Sequence, residues 1–270
     1  MFFGMTNSLA TFQSLMNSIF ADLIAEGVVD IYLDDILIHT RTLEEHHKVV
    51  HEVLKCLEKF DLYLRPEKCE FELQELKYLG LIIRPNEIAM DPGKVAAVAG
   101  WKQPENLKQA QALLGFANFY RQFFPPSYAA ETRPLTDLTW KNEPFVWGAA
   151  QQRAFEFVKN VVTHALVLAM YDSARPTRLE TNTSNFATGA ILSQKQDDGK
   201  WHPITFRSST MSAEECNYEI YDRKMLGLIC ALEDWRHFLE GLPEPFEVVT
   251  DYKNMEWWAS MRNLTRCQAR

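Results

Sequence analysis

The sequence lacks a long hydrophobic run, because the roughly 18 uninterrupted apolar residues of a membrane-spanning helix occur nowhere in it. Its first residues, MFFGMTNSLATFQ, also lack the basic region and the apolar core of a secretory signal. Cysteine is scarce: the five residues include no pair at the close spacing of a zinc site or a redox motif. These absences predict an intracellular protein with reduced thiols and no contact with a membrane.

The sequence also lacks an excess of positive charge, since 28 basic residues face 36 acidic residues, a net charge of −8. Residues 101–178 alone are basic, at +3, between −7 for residues 1–100 and −4 for residues 179–270. A nucleic-acid partner normally requires a positive face, so the total weighs against one, although a local basic surface suffices. The alternative is an unremarkable mixed surface.

What the sequence does contain is apolar and aromatic material, with 47% hydrophobic residues that include 17 Phe, 9 Tyr and 7 Trp. This composition excludes collagen-like, mucin-like and largely disordered chains. A length of 270 residues allows roughly one to three domains.

The first 90 residues mix helix and strand patterns. Apolar residues from Phe12 to Leu23 recur every three or four positions and predict one amphipathic helix. Residues 28–33 and 36–38 are two β-prone runs, and the two residues between them, Asp34 and Asp35, have the length of a tight hairpin loop. The sequence Thr42-Leu43-Glu44-Glu45 is a capping box that opens a further helix.

The rest of the chain changes character near residues 172–177. Before that stretch, residues 107–124 and 149–164 read as helices between prolines. After it, strands are predicted at about residues 178–183, 187–194 and 201–207, followed by a long helix from the capping box at Ser212 to about Leu239, and by a strand that ends at Asp251.

Adjacent carboxylates at a hairpin tip repel each other, so Asp34 and Asp35 require a reason. One reason is a bound divalent cation, because two-metal phosphoryl transfer uses clustered carboxylates to hold ions roughly 3.5–4 Å apart. The alternative is a solvent-exposed polar turn.

Several motifs in a fixed order favour the first interpretation. They are MFFGMTNSLATFQ, YLDDILIHT, LYLRPEKCEF, LKYLGLII, LLGFANFYRQF and PLTDL, and then FVW, RLETNTSNFATGAILSQKQDDGKWHPITF, NYEIYDRKMLGLICALEDWRHFLEG and VVTDYKNMEWW. In order and spacing the sequence resembles the reverse transcriptase of Ty3/gypsy-type long-terminal-repeat retrotransposons, followed by the ribonuclease H domain of those polyproteins. The resemblance covers essentially the whole chain.

The resemblance implies roles for residues of the polymerase part. Tyr32, Asp34 and Asp35 match the catalytic hairpin, whose carboxylates hold Mg²⁺ or Mn²⁺. Gly4 and Gln13 lie in the motif that lines the nucleotide and template site, although Phe2 and Leu9 depart from it. Lys68 falls where the family places a lysine near the nucleotide phosphates, the alternative being a solvated loop charge, and Tyr78-Leu79-Gly80 matches the primer-grip hairpin.

The basic middle third resembles the thumb that closes on the duplex. Phe116, Phe119, Tyr120 and Phe123 have the spacing of a core stripe, which we prefer to base stacking. Lys108 and Arg121 are the candidates for phosphate contacts, on charge alone.

Two departures from the family pattern weigh against catalysis. The chain begins inside the second polymerase motif, so we expect the strand with the other metal-binding Asp to be missing, together with the fingers. In the ribonuclease H part, Asn182 stands at the first catalytic Asp and Lys224 at the catalytic Glu, and the chain ends before the last Asp. Asp251 remains, and without acidic partners we interpret it as a strand-end carboxylate of no special role.

The sequence therefore predicts an α+β protein: a partial reverse transcriptase palm over residues 1–90, a helical thumb or connection over 91–170, and an incomplete ribonuclease H-like α/β domain over 171–270. The partners implied are an RNA template, a DNA primer and RNA–DNA hybrid. Family activity is RNA-directed DNA synthesis and hydrolysis of RNA in hybrids, which we expect to be impaired here. The alternative is a non-catalytic nucleic-acid-binding or protein-binding remnant of a transposable element.

Overall fold

The computed structural model describes residues 7–141 and 143–251. The chain divides into two compact units, Met1–Tyr78 and Leu79–Arg270. Within the described residues, no helix has the length and apolar character needed to cross a membrane. The two units show the mixture of helices and sheets that the sequence predicts, whereas the predicted boundaries at residues 90 and 170 stay predictions.

The first unit packs helices against a hairpin. Its elements are α1 (Ser8–Ile19), α2 (Ala21–Ala25), β1 (Val29–Tyr32), β2 (Asp35–Ile38), α3 (Leu43–Lys59), a 3-10 turn (Pro66–Lys68) and β3 (Leu76–Tyr78). The antiparallel pair β1–β2 turns one face toward Met16, Phe20, Val49 and Val53. Because this apolar face is buried, the side chains on the opposite face of the hairpin are the ones available to solvent.

The helix predicted from Phe12 to Leu23 is in fact two helices. α1 ends at Ile19 and α2 begins at Ala21, because the backbone of Phe20 leaves helical geometry at φ −107° and ψ 20°. Phe20 is fully buried in the core of the unit. The interruption of the helix therefore coincides with the packing of the Phe20 side chain in the core. The spacing of apolar residues along the sequence does not reveal this packing.

The second unit begins with a small sheet and a group of helices. Its elements are β4 (Leu81–Arg84), β5 (Glu87–Met90), α4 (Pro92–Ala99), α5 (Leu107–Phe119), a 3-10 turn (Arg121–Phe123), α6 (Tyr128–Glu131), α7 (Arg133–Asp137), α8 (Ala149–Thr163) and β6 (Leu168–Ala169). β5 pairs antiparallel with both β4 and β6. The helices bury Leu113, Phe124, Leu135 and Val158 in one core.

A four-stranded sheet forms the remainder of the second unit. It comprises β7 (Thr177–Thr183), β8 (Ala187–Lys195), β9 (Trp201–Thr210) and β10 (Glu247–Thr250), with α9 (Ala213–Cys216), α10 (Ile220–Asp234) and α11 (Arg236–Leu239) between the last two strands. The order is β10-β7-β8-β9, and β10 runs parallel to β7. α10 packs on β7 and β8 and buries Met225, Leu228 and Ala231.

The long helix predicted from Ser212 to about Leu239 is divided into α9, α10 and α11. The capping box at Ser212 is present: its side chain accepts from Glu215 N–H, and Glu215 accepts from Ser212 N–H at 2.7 Å. The helix it opens has a single turn, and the long helix begins only at Ile220.

Candidate active sites and nucleic-acid interface

The candidate polymerase carboxylates lie at the tip of the β1–β2 hairpin. Tyr32 pairs with Asp35 in the antiparallel register, so the two-residue turn consists of Leu33 and Asp34. The predicted loop, Asp34-Asp35, was therefore displaced by one residue, and Asp35 is the first residue of β2. Leu33 adopts φ 54°, a left-handed conformation that is uncommon for a branched side chain, so the turn requires support from elsewhere in the unit.

That support comes from the amide of Gln13 on α1. Oε1 of Gln13 accepts a hydrogen bond of 2.7 Å from the backbone N–H of Leu33, while Nε2 donates to the carbonyl oxygen of Ile31 at 3.1 Å. Nε2 also donates to Oδ1 of Asn17 at 2.8 Å. Both ends of the Gln13 amide are thus engaged within the unit, and Gln13 orients the hairpin tip.

The solvent-facing side of the hairpin brings further polar groups to Asp35. Because side chains alternate along a strand, Asp30 and Tyr32 share the face of Asp35. Burial raises the pKa of Tyr78, and the nearby carboxylates of Asp30 and Asp35 raise this pKa further. The sequence placed Tyr78 only in the motif that resembles the primer grip, and it did not single out Asp30 as a site residue. The two-residue period of β1 was the available signal for Asp30.

A magnesium site requires several oxygen ligands around one point. The residues near the hairpin tip can be compared with this requirement. Asp34 and Asp35 are exposed carboxylates of the type that Mg²⁺ prefers. In the described ranges, however, no three His, Cys, Asp or Glu side chains are grouped so as to hold a metal ion. The described residues therefore offer at most part of a site at the hairpin, and we derive no catalytic step through a metal.

The candidate ribonuclease H residues meet at one end of the four-stranded sheet. Asn182 lies near the end of β7, and Asp251 follows β10 directly. The parallel register pairs Thr181 with Thr250, so Asn182 and Asp251 follow the last paired positions on neighbouring strands. Lys224 is on α10, which packs against β7. The structure thus gathers all three positions that the resemblance assigned to this site.

The chemistry at this sheet end is that of an ion pair. Nζ of Lys224 lies 2.6 Å from Oδ2 of Asp251, and the Lys224 side chain is only 18% exposed. Glu180, two residues before Asn182 on β7, forms an ion pair with Arg178 at 3.9 Å. An ammonium group in contact with the remaining carboxylate does not fit a divalent cation at the same oxygen. The sequence interpretation, which gave Asp251 no special role, missed this partner.

The predicted nucleic-acid-contacting residues are distributed over both units. Lys68 is exposed at the end of the Pro66–Lys68 turn in the first unit. Lys108 is exposed in the first turn of α5, whereas Arg121 follows the other end of that helix, roughly 20 Å away at 1.5 Å per residue. Gly4 lies outside the described residues. The structure therefore does not bring Lys108 and Arg121 together.

The aromatic residues after Leu114 do not all belong to the core. Tyr120 and Phe123 are buried and Phe116 packs against them, as the stripe predicts. Phe119 instead is 60% exposed, which makes the prediction wrong for this residue. Its ring packs edge-on against Tyr120 at 4.9 Å between centroids.

Tyr120 in turn fixes the turn that precedes β4. Its hydroxyl donates to the carbonyl oxygen of Gly80 at 3.0 Å. Gly80 has φ 80°, and a Cβ there would lie 3.1 Å from the Tyr120 hydroxyl and 3.8 Å from the Phe119 ring. Glycine is thus favoured both by the left-handed backbone conformation and by the close approach of the Tyr120 hydroxyl.

Comparison with known proteins shows which protein families this chain resembles. Residues 1–83 match the family described as "Reverse transcriptase (RNA-dependent DNA polymerase)", and residues 147–248 match "RNase H-like domain found in reverse transcriptase". Two curated relatives, the Transposon Tf2-3 and Tf2-4 polyproteins of Schizosaccharomyces pombe, are each 36% identical over 253 residues, 94% of this chain. The chain belongs to the reverse transcriptases of retrotransposon polyproteins. It spans 19% of the length of those two relatives.

Solved reverse transcriptases share the fold. A foamy viral protease-reverse transcriptase dRH in complex with double-stranded DNA aligns over 98% of this chain and 46% of its own, with a TM-score of 0.80 and 22% identity. A foamy viral protease-reverse transcriptase in complex with RNA/DNA hybrid aligns over 100% of this chain and 36% of its own, with a TM-score of 0.76 and 21% identity. At these identities the likeness establishes the fold of this retrotransposon chain, which agrees with the α+β prediction.

Proposed function

We propose that residues 1–270 form a nucleic-acid-binding part of a retrotransposon reverse transcriptase, in which the ribonuclease H-like region holds an RNA–DNA hybrid without hydrolysing it. The observation that carries this proposal is the ion pair between Lys224 and Asp251, 2.6 Å in length, at the end of the parallel strands. Divalent-cation catalysis requires carboxylates that are free to ligate. Here the ammonium group already neutralises the carboxylate.

The polymerase part contributes carboxylates and duplex contacts under this proposal. Asp34 and Asp35 stand at the hairpin tip that Gln13 supports, where they are two of the ligands that an Mg²⁺ or Mn²⁺ site would require. RNA template and DNA primer are the partners proposed, by family membership and because the foamy viral relatives of the same fold are described in complex with double-stranded DNA and RNA/DNA hybrid.

The proposal is tested with a fluorescein-labelled RNA–DNA hybrid in two parallel assays on purified residues 1–270. We expect fluorescence anisotropy to show binding in EDTA, without a requirement for Mg²⁺, and we expect the RNA strand to remain intact when Mg²⁺ is present. Hydrolysis that Asp251→Asn abolishes would overturn the non-catalytic assignment. Failure of the hybrid to bind at low salt would overturn the nucleic-acid-binding assignment.

A further inference from the structure

A cleft of about 240 Å³ in the second unit is not part of either candidate active site. One wall is the Arg121–Phe123 turn, which contributes Arg121 and Gln122. The opposite wall is the end of β9, with Arg207 and Ser209, and the C-terminal end of α10 closes the cleft with Asp234 and the buried ring of Trp235. Two guanidinium groups therefore border one cleft.

The charges of this cleft are not balanced. Nε of Arg207 donates to Oδ2 of Asp234 at 2.5 Å, and its Nη1 donates to Oγ1 of Thr188 at 2.9 Å. The guanidinium of Arg121 has no hydrogen bond or ion pair to any residue in the ranges 7–141 and 143–251. Asp234 neutralises Arg207 through their ion pair, so the positive charge of Arg121 has no ion-pair partner of its own among the described residues.

The environment of Arg121 makes this excess charge unfavourable. Arg121 is half-buried, and burial lowers the pKa of its guanidinium, as does the neighbouring charge of Arg207, against the opposing effects of Tyr128 and Asp234. A partly desolvated cation beside a second cation is costly unless an anion is present. The cleft thus has the electrostatic character of an anion site.

The walls of the cleft are held rigidly. Oγ of Ser208, on β9, donates to the carbonyl oxygen of Pro126 at 2.7 Å and accepts from the backbone N–H of Ala129 at 2.8 Å. On the adjacent strand, Gly189 lies so close to Pro126 that a Cβ would approach to 2.5 Å. These contacts fix β9 against the segment that follows Arg121, so the separation of the two arginines is set by the fold.

We propose that this cleft binds a phosphate group between the guanidinium groups of Arg121 and Arg207, with the hydroxyl of Ser209 as a further donor. A guanidinium presents paired N–H donors that match phosphate oxygens, which makes arginine better suited to this role than lysine. The assignment of the phosphate to a nucleic-acid backbone rests on the proposed function. A free phosphate presents the same chemistry, and the experiment separates the two sources.

The first arm measures the melting temperature of residues 1–270 in inorganic phosphate against sodium chloride at equal ionic strength. We expect phosphate to raise the melting temperature of the wild type by about 2–4 °C through preferential binding to the folded state. Arg121→Ala should abolish the increase, Arg121→Lys should reduce it, and Ser209→Glu should abolish it by placing a carboxylate in the cleft. Arg153→Ala is the matched control, because Arg153 is an exposed arginine of α8 outside the cleft.

The second arm measures binding of the RNA–DNA hybrid by the same variants. We expect Arg121→Ala to weaken binding about tenfold and to reduce the slope of log K against log salt by about 0.9, the value for one phosphate contact. Arg153→Ala should retain the phosphate-induced rise in melting temperature. Adding Arg121→Ala to this variant should still reduce the slope of log K against log salt by about 0.9.

The outcomes are separable. An equal phosphate effect in wild type, Arg121→Ala and Ser209→Glu would overturn the phosphate site. Loss of the phosphate effect with unchanged hybrid binding would establish a free-phosphate site and overturn the backbone assignment. If the wild type binds no hybrid, the proposed function fails, while the melting arm still decides whether the cleft binds phosphate.

Discussion

Oε1 of Gln13 accepts a hydrogen bond of 2.7 Å from the backbone N–H of Leu33, which joins α1 to the turn that carries Asp34. Leu33 has φ 54°, so this contact stabilises a backbone conformation that is unfavourable in isolation. A glutamine that the family resemblance assigns to the nucleotide and template site thus acts here on the hairpin itself. It is a positioning residue for the two carboxylates.

The first prediction follows from this contact. Gln13→Ala should destabilise the protein by about 1–3 kcal/mol, because it leaves the partly buried Leu33 N–H and Ile31 carbonyl without their partner. Gln13→Glu should cost less, since its carboxylate still accepts from Leu33. Urea unfolding gives the stability, and amide hydrogen exchange reports on Leu33 directly.

Thr11→Ala serves as the control for Gln13, because Thr11 makes an exposed hydrogen bond on the same helix. Its effect should remain within about 0.5 kcal/mol. Unchanged exchange of the Leu33 amide in Gln13→Ala would show that the side chain does not hold the turn.

The second prediction concerns DNA synthesis. A polypeptide of residues 1–270 should not extend a primer on an RNA template with Mg²⁺ or Mn²⁺, because the described residues group no third potential metal ligand with Asp34 and Asp35. Incorporation of nucleotides that disappears in Asp34→Asn, Asp35→Asn would contradict this expectation. Incorporation that survives the double substitution would indicate a contaminating polymerase.

The third prediction concerns the ribonuclease H-like site. Asn182→Asp alone should not bind Mg²⁺, because Lys224 still neutralises Asp251. Lys224→Glu alone should lower stability, since it replaces an attractive pair by two adjacent carboxylates. The double variant places acidic groups at three positions, so titration calorimetry should show Mg²⁺ binding, and the stability lost through carboxylate repulsion should recover only when Mg²⁺ is present.

Lys224→Gln is the matched control, because it removes the ammonium charge without adding a carboxylate. Its cost should be about 0.5–1 kcal/mol, as the pair is partly exposed. Cleavage of an RNA–DNA hybrid is measured in parallel on each variant. Hydrolysis by the wild type at a rate comparable with the double variant, and lost in Asp251→Asn, would show that the two substitutions have been misinterpreted.

The fourth prediction concerns the basic residues of the middle third. Lys108→Ala, Arg121→Ala should flatten the slope of log K against log salt for duplex binding by up to roughly two units. Arg236→Ala should leave the slope unchanged, because Arg236 already forms an ion pair with Glu240 at 2.7 Å. Tight binding that does not respond to salt would remove both residues from the interface.

The fifth prediction is a pH dependence. Burial raises the pKa of Tyr128 to about 12, against the opposing charge of Arg121. The stability that the protonated phenol confers is fully present below its unfolded pKa of about 10 and is lost as the pH rises toward 12. The loss should amount to about 2–3 kcal/mol, because each pKa unit corresponds to about 1.4 kcal/mol.

Tyr128→Phe removes this titration, so the difference in unfolding free energy between wild type and variant should change between pH 9 and pH 12 by about that amount. Tyr120→Phe is a second test of the same effect, because burial also raises the pKa of Tyr120, so its difference should change with pH in the same direction. A difference for Tyr128→Phe that is constant with pH would exclude the raised pKa.

The sequence predicted the elements of the sheet closely, because strands with alternating or continuous apolar residues and clear turns carry their own pattern. β7, β8 and β9 lie within a few residues of the predicted strands. Helices were predicted less accurately where local periodicity continued through a break, as at Phe20 and between α9 and α10. Those breaks depend on packing against other elements, which the period of a single segment does not contain.

The sequence by itself determined the family and the α+β class, because these depend on motifs in a fixed order, and it predicted candidate residues for both sites. Only the tertiary structure decided what those residues contact. It joined Lys224 to Asp251, engaged both ends of the Gln13 amide at the hairpin, exposed Phe119 and set Arg121 beside Arg207. The physical reason is that each of these relationships joins different secondary-structure elements or depends on how one element packs. Their energies depend on distances and burial that exist only after the chain has folded.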